Sequence, residues 1–252
     1  MDKQIMGNNK TLTIITSHYN DIEGLIKTWK SIKSQISNSW EWIIVDSYSY
    51  DFYASIPKEI TNNKLIRIFQ INSSIYDAMN YGILKTRTKY FHFLNCNSTY
   101  CSTNTLKTIL FIIESEKNFN RYLFSFKMLI VDGKKLLYEQ VPSKIFFPFK
   151  SGHESVIYPT CFKDKIMISS HKGVVADMIF MFEYSLKYKL KCYDLDFLIY
   201  PKGGFSDLEI NSNDKLRGYI IILILSFSKF KLCSAFMAFY RFMAELKRKV
   251  IK

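Results

Sequence analysis

The stretch LTIITSHYNDIEGLIKTWKSIKSQ, residues 12–35, places a short β-rich segment directly before a segment with helical periodicity. Asn20, followed three residues later by Glu23, predicts a capping box where the helix begins. The stretch therefore predicts a strand over 12–17 with a helix after it. The apolar side chains that would share the buried face of this helix are Ile22, Leu25, Ile26, Trp29 and Ile32.

The alternation of strand and helix continues along the chain. The sequence contains no GxGxxG motif. Strands are predicted at WEWIIVD (40–46), LIRIF (65–69) and YFHFLN (90–95), and helices at 74–86 and 103–117. This pattern predicts an α/β domain with a mixed, mainly parallel, Rossmann-like sheet whose ligands bind at the carboxyl ends of the strands. Further along, the sequence predicts paired strands over 122–141, a helix around 174–188, a last strand over 191–200 and a helical tail.

The size and composition of the chain limit the number of domains and the class of protein. With 252 residues and 48% hydrophobic content, we expect one domain over 1–214 and a basic, apolar tail over 215–252. The five cysteines form no CxxC pair, so neither a disulfide framework nor a zinc site is encoded, and a reducing cytosol is the simplest compartment. The N-terminal segment MDKQIMGNNK has no apolar stretch after its charges, unlike a secretory signal.

The positive charge is concentrated in the tail. Lys and Arg exceed Asp and Glu by 35 − 22 = 13, and nine basic residues stand against the single Glu245 between Lys215 and Lys252. The apolar runs between these charges are too short to cross a bilayer, which takes about 20 residues. This mixture favours an anionic membrane surface as partner. A nucleic-acid-binding protein is the alternative from another class, although no RNA or DNA motif is present.

Polar side chains follow the predicted strands at the edge where ligands would bind. They suit a ribose, a base and a diphosphate, but Asp and Ser after a strand are also ordinary turn residues. They comprise Thr16, Ser17 and Asn20 after the first strand, Asp46, Ser47, Ser49 and Asp51 after the second, and Asn95 to Ser98 after the fourth.

Taken in order, the motifs resemble the inverting family 2 glycosyltransferases of the GT-A fold, particularly those of bacterial O-antigen, capsule and colanic-acid assembly. The motifs that carry this resemblance are LTIITSHYN with EGLIKTWKSI, EWIIVDSYSYD, SIYDAMNYGI, YFHFLN, SGHESVIYP, ADMIFMF and YPKGGFSD, which cover roughly residues 11–207. SIYDAMNYGI is the most specific of them. The resemblance implies a hexosyltransferase-type enzyme that uses a nucleotide sugar, most simply a UDP-sugar.

The resemblance also implies roles for individual residues. Asp46 matches the residue that contacts the donor nucleoside, and Thr16 and Asn20 line the same pocket. Asp77 and Asn80 match a donor-side helix motif, and His153, in a motif that usually reads His-Gln-Ser, faces the diphosphate or the acceptor. Asp177 matches the catalytic base, and the late loop over the acceptor side contains Gly203, Gly204 and Ser206.

Each of these roles has a simpler alternative. An inverting transfer needs one carboxylate to take the proton of the acceptor hydroxyl, and the apolar neighbours of Asp177 would raise its pKa toward working pH. Alternatively, Asp177 is the N-cap of its helix, His153 is a loop histidine without a role, and Asp77 is a solvated helix position.

The acidic DxD-type motif that the family places after the fourth strand is absent. Its place is taken by Asn95-Cys96-Asn97-Ser98, and magnesium or manganese prefers carboxylate oxygens. Three explanations follow. The protein holds a metal weakly through Asn97, Ser98, His153 and the diphosphate itself, it neutralises the diphosphate with basic side chains such as Lys150 or Lys202, or it has lost activity.

The sequence thus predicts a peripheral enzyme on the cytoplasmic face of the cell membrane. Its expected reaction transfers a sugar with inversion from a nucleotide sugar to a lipid-linked oligosaccharide in the synthesis of a surface polysaccharide or lipopolysaccharide. The alternative within the fold is an inactive homologue that acts as an assembly partner.

Overall fold

The computed structural model describes residues 10–116, 121–144, 147–163, 166–169, 175–203, 212–228, 235, 238–244 and 246. Its centre is a mixed sheet with the strand order β3-β2-β1-β4-β8-β6-β9-β5, and β7 pairs with β6 outside this path. The strands are β1 (Leu12–His18), β2 (Trp40–Asp46), β3 (Ile66–Gln70), β4 (Tyr90–Phe93), β5 (Thr99–Tyr100), β6 (Tyr122–Asp132), β7 (Lys135–Gln140), β8 (Val156–Pro159) and β9 (Lys189–Pro201).

Helices cover this sheet and bury its apolar side chains. They are α1 (Ile22–Lys33), α2 (Phe52–Ser55), α3 (Lys58–Thr61), α4 (Ile75–Lys85), α5 (Thr105–Ser115), α6 (Ala176–Lys187) and α7 (Ser212–Ser228). Leu25, Trp29 and Ile32 of α1 pack into the same buried cluster as Ile14 and Trp42 of the sheet, as the helical periodicity predicts. The structure therefore confirms the predicted α/β class with a mixed sheet between helices.

The first four strands are parallel, and this arrangement positions the site. β1 pairs with β2 and β4, and β2 pairs with β3, all in parallel register. The register places His18 opposite Asp46, so the last residues of β1 and β2 lie side by side. Asn95 follows β4 by two residues at the same edge. The carboxyl ends of three neighbouring strands thus meet, as expected for a Rossmann-like sheet.

The predicted capping box of α1 is wrong. Asp21 is the N-cap, and its side chain accepts a hydrogen bond from the Gly24 N–H. Asn20 instead adopts a positive φ of 48°, a conformation that asparagine tolerates better than most residues. The shift by one residue arises because Asn20 lies in the turn between β1 and α1, where its backbone N–H donates to Ser49 of the loop after β2. The capping box that does form is that of α4, between Ser74 and Asp77.

The predicted tail begins within α7, which packs on the domain with one face. Tyr219 and Ile222 of α7 are buried against Val175 and Ile179 at the start of α6. A Cβ atom on Gly218 would lie 1.6 Å from a methyl group of Val175, so only glycine permits this approach. Among the described residues, no helix has the length and apolarity needed to cross a membrane.

Candidate active site

The β1 and β2 ends form a buried polar network around Asp46. The Asp46 carboxylate lies 2.7 Å from His18 Nδ1 and accepts hydrogen bonds from the Ser49 backbone and hydroxyl and from Gln70 Nε2 at 2.9 Å. Burial raises the pKa of Asp46, but the hydrogen bonds from Ser49, His18 and Gln70 outweigh it and leave the pKa below its ordinary value. The network therefore holds an ionised carboxylate beneath the loop after β2.

Thr16 and Asn20, the other two residues predicted to line the nucleotide pocket, have different surroundings. The Thr16 hydroxyl donates to the Leu94 carbonyl and accepts from Trp42 Nε1, so it is committed to the core between β1, β2 and β4. Asn20 is exposed, and its backbone N–H donates to the Ser49 hydroxyl at 2.7 Å. This bond ties the β1 loop to the β2 loop. The structure thus brings Asn20, but not the Thr16 side chain, to the open side of the predicted pocket.

The two predicted residues of α4 have different surroundings. Asp77 is exposed, and its carboxylate accepts from the Ser74 hydroxyl at 2.6 Å and closes the capping box. Asn80 is bound twice to the backbone of Ile168, through Nδ2 at 2.7 Å and Oδ1 at 2.8 Å. Asn80 therefore clamps the loop that leads towards α6. In this structure both side chains have local structural partners.

His153 and Asp177 form a pair on the other side of the β4 end. His153 Nδ1 lies 2.9 Å from Asp177 Oδ2, and the ring of His153 packs edge-on against Phe93. Burial lowers the pKa of His153, but Asp177 and Glu154 outweigh it and leave the pKa above its ordinary value. Burial also raises the pKa of Tyr76, and the charge of Asp177 adds to that effect. Asp177, at the start of α6, thus faces both α4 and the turn that contains His153.

The N-cap interpretation of Asp177 is contradicted. α6 begins at Ala176 with Val175 as its N-cap, so Asp177 lies inside the first turn. Its Oδ1 accepts from the Met178 N–H at 2.7 Å, while Oδ2 faces His153. With a quarter of the side chain exposed, the carboxylate is fixed by two contacts and still reaches solvent.

Neutral groups do occupy the loop after β4, but carboxylates surround it. Asn97 has a φ of 72° and donates from Nδ2 to Asp21 Oδ2 at 2.8 Å. Burial raises the pKa of the Cys96 thiol well above its usual range, and the charges of Asp21, Glu154 and Asp46 add to this shift. These carboxylates lie near the loop, but each of them is bound to protein groups.

These residues do not fit a magnesium or manganese ion held by the protein. The Asn97 amide is turned towards Asp21, and the Ser98 hydroxyl is buried without a hydrogen-bond partner. Within the described ranges, no three His, Cys, Asp or Glu side chains are placed to hold a metal. A hard cation prefers several charged or carbonyl oxygens, which Asn97 and Ser98 do not present together.

Part of the predicted acceptor loop lies outside the described residues, namely Gly204 and Ser206. Gly203 is described and has a φ of 102°, which favours glycine. Of the two lysines suggested for the diphosphate, Lys150 is exposed three residues before His153, and Lys202 is exposed at the end of β9.

Sequence reasoning missed His18, Gln70 and Glu154. His18 could have been found from its position opposite Asp46 in a parallel pair of strands, because both residues end their strands. Glu154 could have been found because the motif that usually reads His-Gln-Ser reads His-Glu-Ser in this chain. Gln70 gave no signal, since its role depends on the pairing of β3 with β2.

Comparisons with known proteins agree with this architecture. Residues 13–132 match the family model described as Glycosyl transferase family 2. The crystal structure of S. aureus TarS 1-349 in complex with UDP-GlcNAc is similar with a TM-score of 0.66 at 16% identity, over 94% of this chain and 72% of that one. The structure of the mannosyltransferase PcManGT from Pyrobaculum calidifontis, in complex with GDP-Man and Mn2+, is similar with a TM-score of 0.61 at 11% identity. The similar region covers 97% of this chain and 76% of that one.

The similar region covers only part of some of these structures. The chain spans 65% of the TarS 1-349 structure in complex with UDP, at a TM-score of 0.62 and 16% identity over 84% of this chain. It spans 40% of the longer TarS structure. No curated protein sequence matches the chain at the threshold of the search.

The sheet and its flanking helices have the GT-A-like fold of these solved structures, with a polar edge at the ends of β1, β2 and β4. The segment that matches glycosyl transferase family 2, residues 13–132, runs from β1 to β6 and therefore contains the ends of β1, β2 and β4.

Proposed function

We propose that this protein transfers a sugar with inversion from a nucleotide sugar, most simply a UDP-sugar, to a lipid-linked oligosaccharide during surface-polysaccharide synthesis. The observation that carries the proposal is the His153–Asp177 pair, 2.9 Å apart beside the end of β4 and across that edge from the Asp46 network. One side of the cleft thus presents a carboxylate for proton transfer, and the other presents a polar pocket for a nucleotide.

The donor side has the groups that a nucleoside needs. Exposed tyrosines stand on the two loops joined by the bond from Asn20 to Ser49, with Tyr19 and Tyr48 each 65% and Tyr50 88% exposed. Aromatic faces stack on bases, and polar groups of the loop can bind a ribose. The hydrogen bonds from Ser49 to Asp46 fix the position of the loop after β2. Binding of UDP-GlcNAc by TarS and of GDP-Man by PcManGT supports a nucleotide-sugar donor.

The acceptor side is built around Asp177. The acceptor hydroxyl oxygen would attack the anomeric carbon while the bond from that carbon to the diphosphate breaks. The bonding electrons leave with the diphosphate, and the hydroxyl proton passes to Asp177. The contacts to His153 and Met178 hold the carboxylate in one orientation, as a general base requires. Since the residues do not fit a metal, basic side chains such as Lys150 or Lys202 would neutralise the diphosphate.

A lipid-linked acceptor is supported by the position of α7. This helix contacts Val175, two residues before Asp177, and turns a second apolar face to solvent. Ile220, Ile224 and Phe227 are 41%, 61% and 59% exposed at a spacing of three to four residues. Such a stripe, followed by a basic segment, suits an anionic membrane surface. A sugar carried on a lipid would thus arrive beside the proposed base.

The test measures release of nucleoside diphosphate from a panel of UDP- and GDP-sugars, with and without a bacterial lipid-linked saccharide fraction. We expect one donor to give release that requires the fraction and that is lost in Asp177→Asn. If no donor is turned over although nucleotide sugars bind, the protein is an inactive homologue. If nucleic acid binds and nucleotide sugars do not, the proposal is wrong.

A further inference from the structure

A buried carboxylate, Glu154, has no role in the reaction described so far. It lies in the 3-10 turn His153–Ser155, and only 1% of the residue is exposed. Both of its oxygens accept from Asn95, Oε2 from the backbone N–H at 3.0 Å and Oε1 from the side-chain Nδ2 at 2.9 Å. A buried ionised carboxylate can only accept hydrogen bonds, so it acts on the orientation of the groups that donate to it.

The Asn95 amide is held in one of its two orientations. Its Nδ2 faces both Glu154 and His153 Nε2, the latter at 3.2 Å, while its Oδ1 is buried without a hydrogen-bond partner. Turning the amide over would point Oδ1 at the Glu154 carboxylate and remove the bond to it. The unsatisfied Oδ1 is therefore the consequence of an orientation that Glu154 imposes.

This orientation selects one form of His153. Because Asn95 Nδ2 is a donor, His153 Nε2 must carry a lone pair to accept from it. The neutral ring then carries its proton on Nδ1, and that N–H donates to Asp177 Oδ2 at 2.9 Å. In the other neutral form, a lone pair on Nδ1 would face the carboxylate.

We propose that Glu154 is a positioning residue that acts through Asn95 and His153 to orient Asp177. The chain of contacts runs from the Glu154 carboxylate to the Asn95 amide, to the His153 ring and to the proposed base. This inference rests on the proposed function, because Asp177 matters here only as the base. Its first test does not depend on turnover.

The first test is the protonation state of the His153 ring in protein labelled with 15N-histidine, measured without donor while the pH is raised until the ring is neutral, because the pKa of His153 lies above its ordinary value of about 6.5. The chain has four histidines, and His153→Gln identifies the resonances. We expect Nδ1 protonated and Nε2 unprotonated. In Glu154→Gln, the new amide nitrogen can donate to Asn95 Oδ1 and turn the Asn95 amide, so His153 Nε2 should gain a proton.

A protonated Nε2 in the wild-type protein, or an unchanged His153 in Glu154→Gln, would overturn the proposal. Glu23→Gln serves as the control, because it removes an exposed carboxylate from the first turn of α1 and should leave the His153 resonances unchanged.

The double variant Glu154→Gln with Asn95→Asp separates positioning from structure. It exchanges the amide and the carboxylate, so each buried group again has a partner and the Tm should recover towards the wild-type value. The His153 Nε2 should nevertheless stay protonated, since a carboxylate now faces it. Recovery of the wild-type His153 spectrum in this variant would show that Glu154 serves stability alone.

Turnover supplies the second test. Glu154→Gln should lower kcat about tenfold, less than the roughly 10²- to 10⁴-fold typical for loss of a general base because Asp177 is still present, with the KM for the donor within about twofold of wild type. A normal kcat in a variant with altered His153 would refute the positioning role. A wild-type protein that shows no transfer at all, yet has the expected His153 form, would refute the proposed function instead.

Discussion

Replacing Asp46 by asparagine keeps the shape of the side chain and removes the charge at the centre of the donor-side network. The carboxylate accepts from His18, from the Ser49 backbone and hydroxyl, and from Gln70. An amide offers one oxygen in place of two, and its nitrogen would face a donor. A hydrogen bond to a charged group contributes about 1.5–3 kcal/mol, and an unsatisfied buried donor costs about 1–3 kcal/mol.

We therefore expect Asp46→Asn to lower the free energy of unfolding by about 3 kcal/mol at pH 7, or roughly 6–12 °C in Tm. Asp51→Asn is the matched control. It lies in the same loop, makes no capping hydrogen bond and has a φ of 49°, which asparagine accepts, so it should change the stability by less than about 0.5 kcal/mol.

The effect of Asp46→Asn should also depend on pH. Because the pKa of folded Asp46 lies below its ordinary value, the stability it contributes is present above the unfolded pKa and is lost as the pH falls through the folded pKa. The difference between wild type and variant should stay constant from about pH 7 to 5 and narrow below about pH 4. Denaturant unfolding at several pH values measures it. A variant as stable as wild type at pH 7, or a difference that widens in acid, would refute this account of the network.

Other perturbations probe the remaining parts of the site. Asp177→Asn should lower transfer by about 10²- to 10⁴-fold and leave nucleotide affinity nearly unchanged, and more than half of the wild-type rate would exclude it as the base. Transfer by the wild type should survive moderate EDTA. Loss of wild-type activity in micromolar EDTA would contradict the absence of a protein-held metal. Ser98→Asp places a carboxylate at a position that is 1% exposed, so it should lower the Tm. Manganese together with UDP should restore the Tm of this variant, because a hard cation prefers a charged oxygen ligand. Ile224→Glu with Phe227→Glu should release the protein from anionic vesicles, whereas Phe111→Glu, a 74% exposed site on α5, should not. Truncation after Ser228 keeps the face of α7 that packs on the domain and should act in the same direction, since each basic residue near an anionic surface contributes about 1 kcal/mol. Unchanged flotation would mean that the basic segment after α7 does not meet the membrane.

The strands and helices could largely be predicted because their apolar periodicity follows directly from burial. β2 spans the predicted residues 40–46, and α4 lies within the predicted 74–86. The first residue of a helix was less predictable, because the N-cap of α1 depends on loop contacts. Asn20 donates to Ser49 from its backbone, and Asp21 is the N-cap instead. Such contacts join residues that are distant in the sequence.

The site could be predicted only in part for the same reason. The sequence indicates Asp177 and His153 separately, but their separation of 2.9 Å depends on how α6 docks beside the turn after Gly152. Thr16 and Asn80 are polar residues in the expected motifs, but Thr16 is bound to the backbone in the core and the partly buried Asn80 is bound to the backbone of Ile168. Motif position alone does not reveal whether a side chain faces the cleft.

The central claim is that the cleft binds a nucleotide sugar without a protein-held metal, and calorimetry with a panel of nucleotide sugars tests it directly. In the presence of EDTA, we expect one nucleotide sugar to bind wild type and Asp177→Asn equally. Asp46→Ala should bind it about 5- to 150-fold more weakly, as a lost buried polar contact of roughly 1–3 kcal/mol implies. If no nucleotide sugar binds the folded protein in EDTA or in manganese, or if Asp46→Ala binds as tightly as wild type, the account is contradicted.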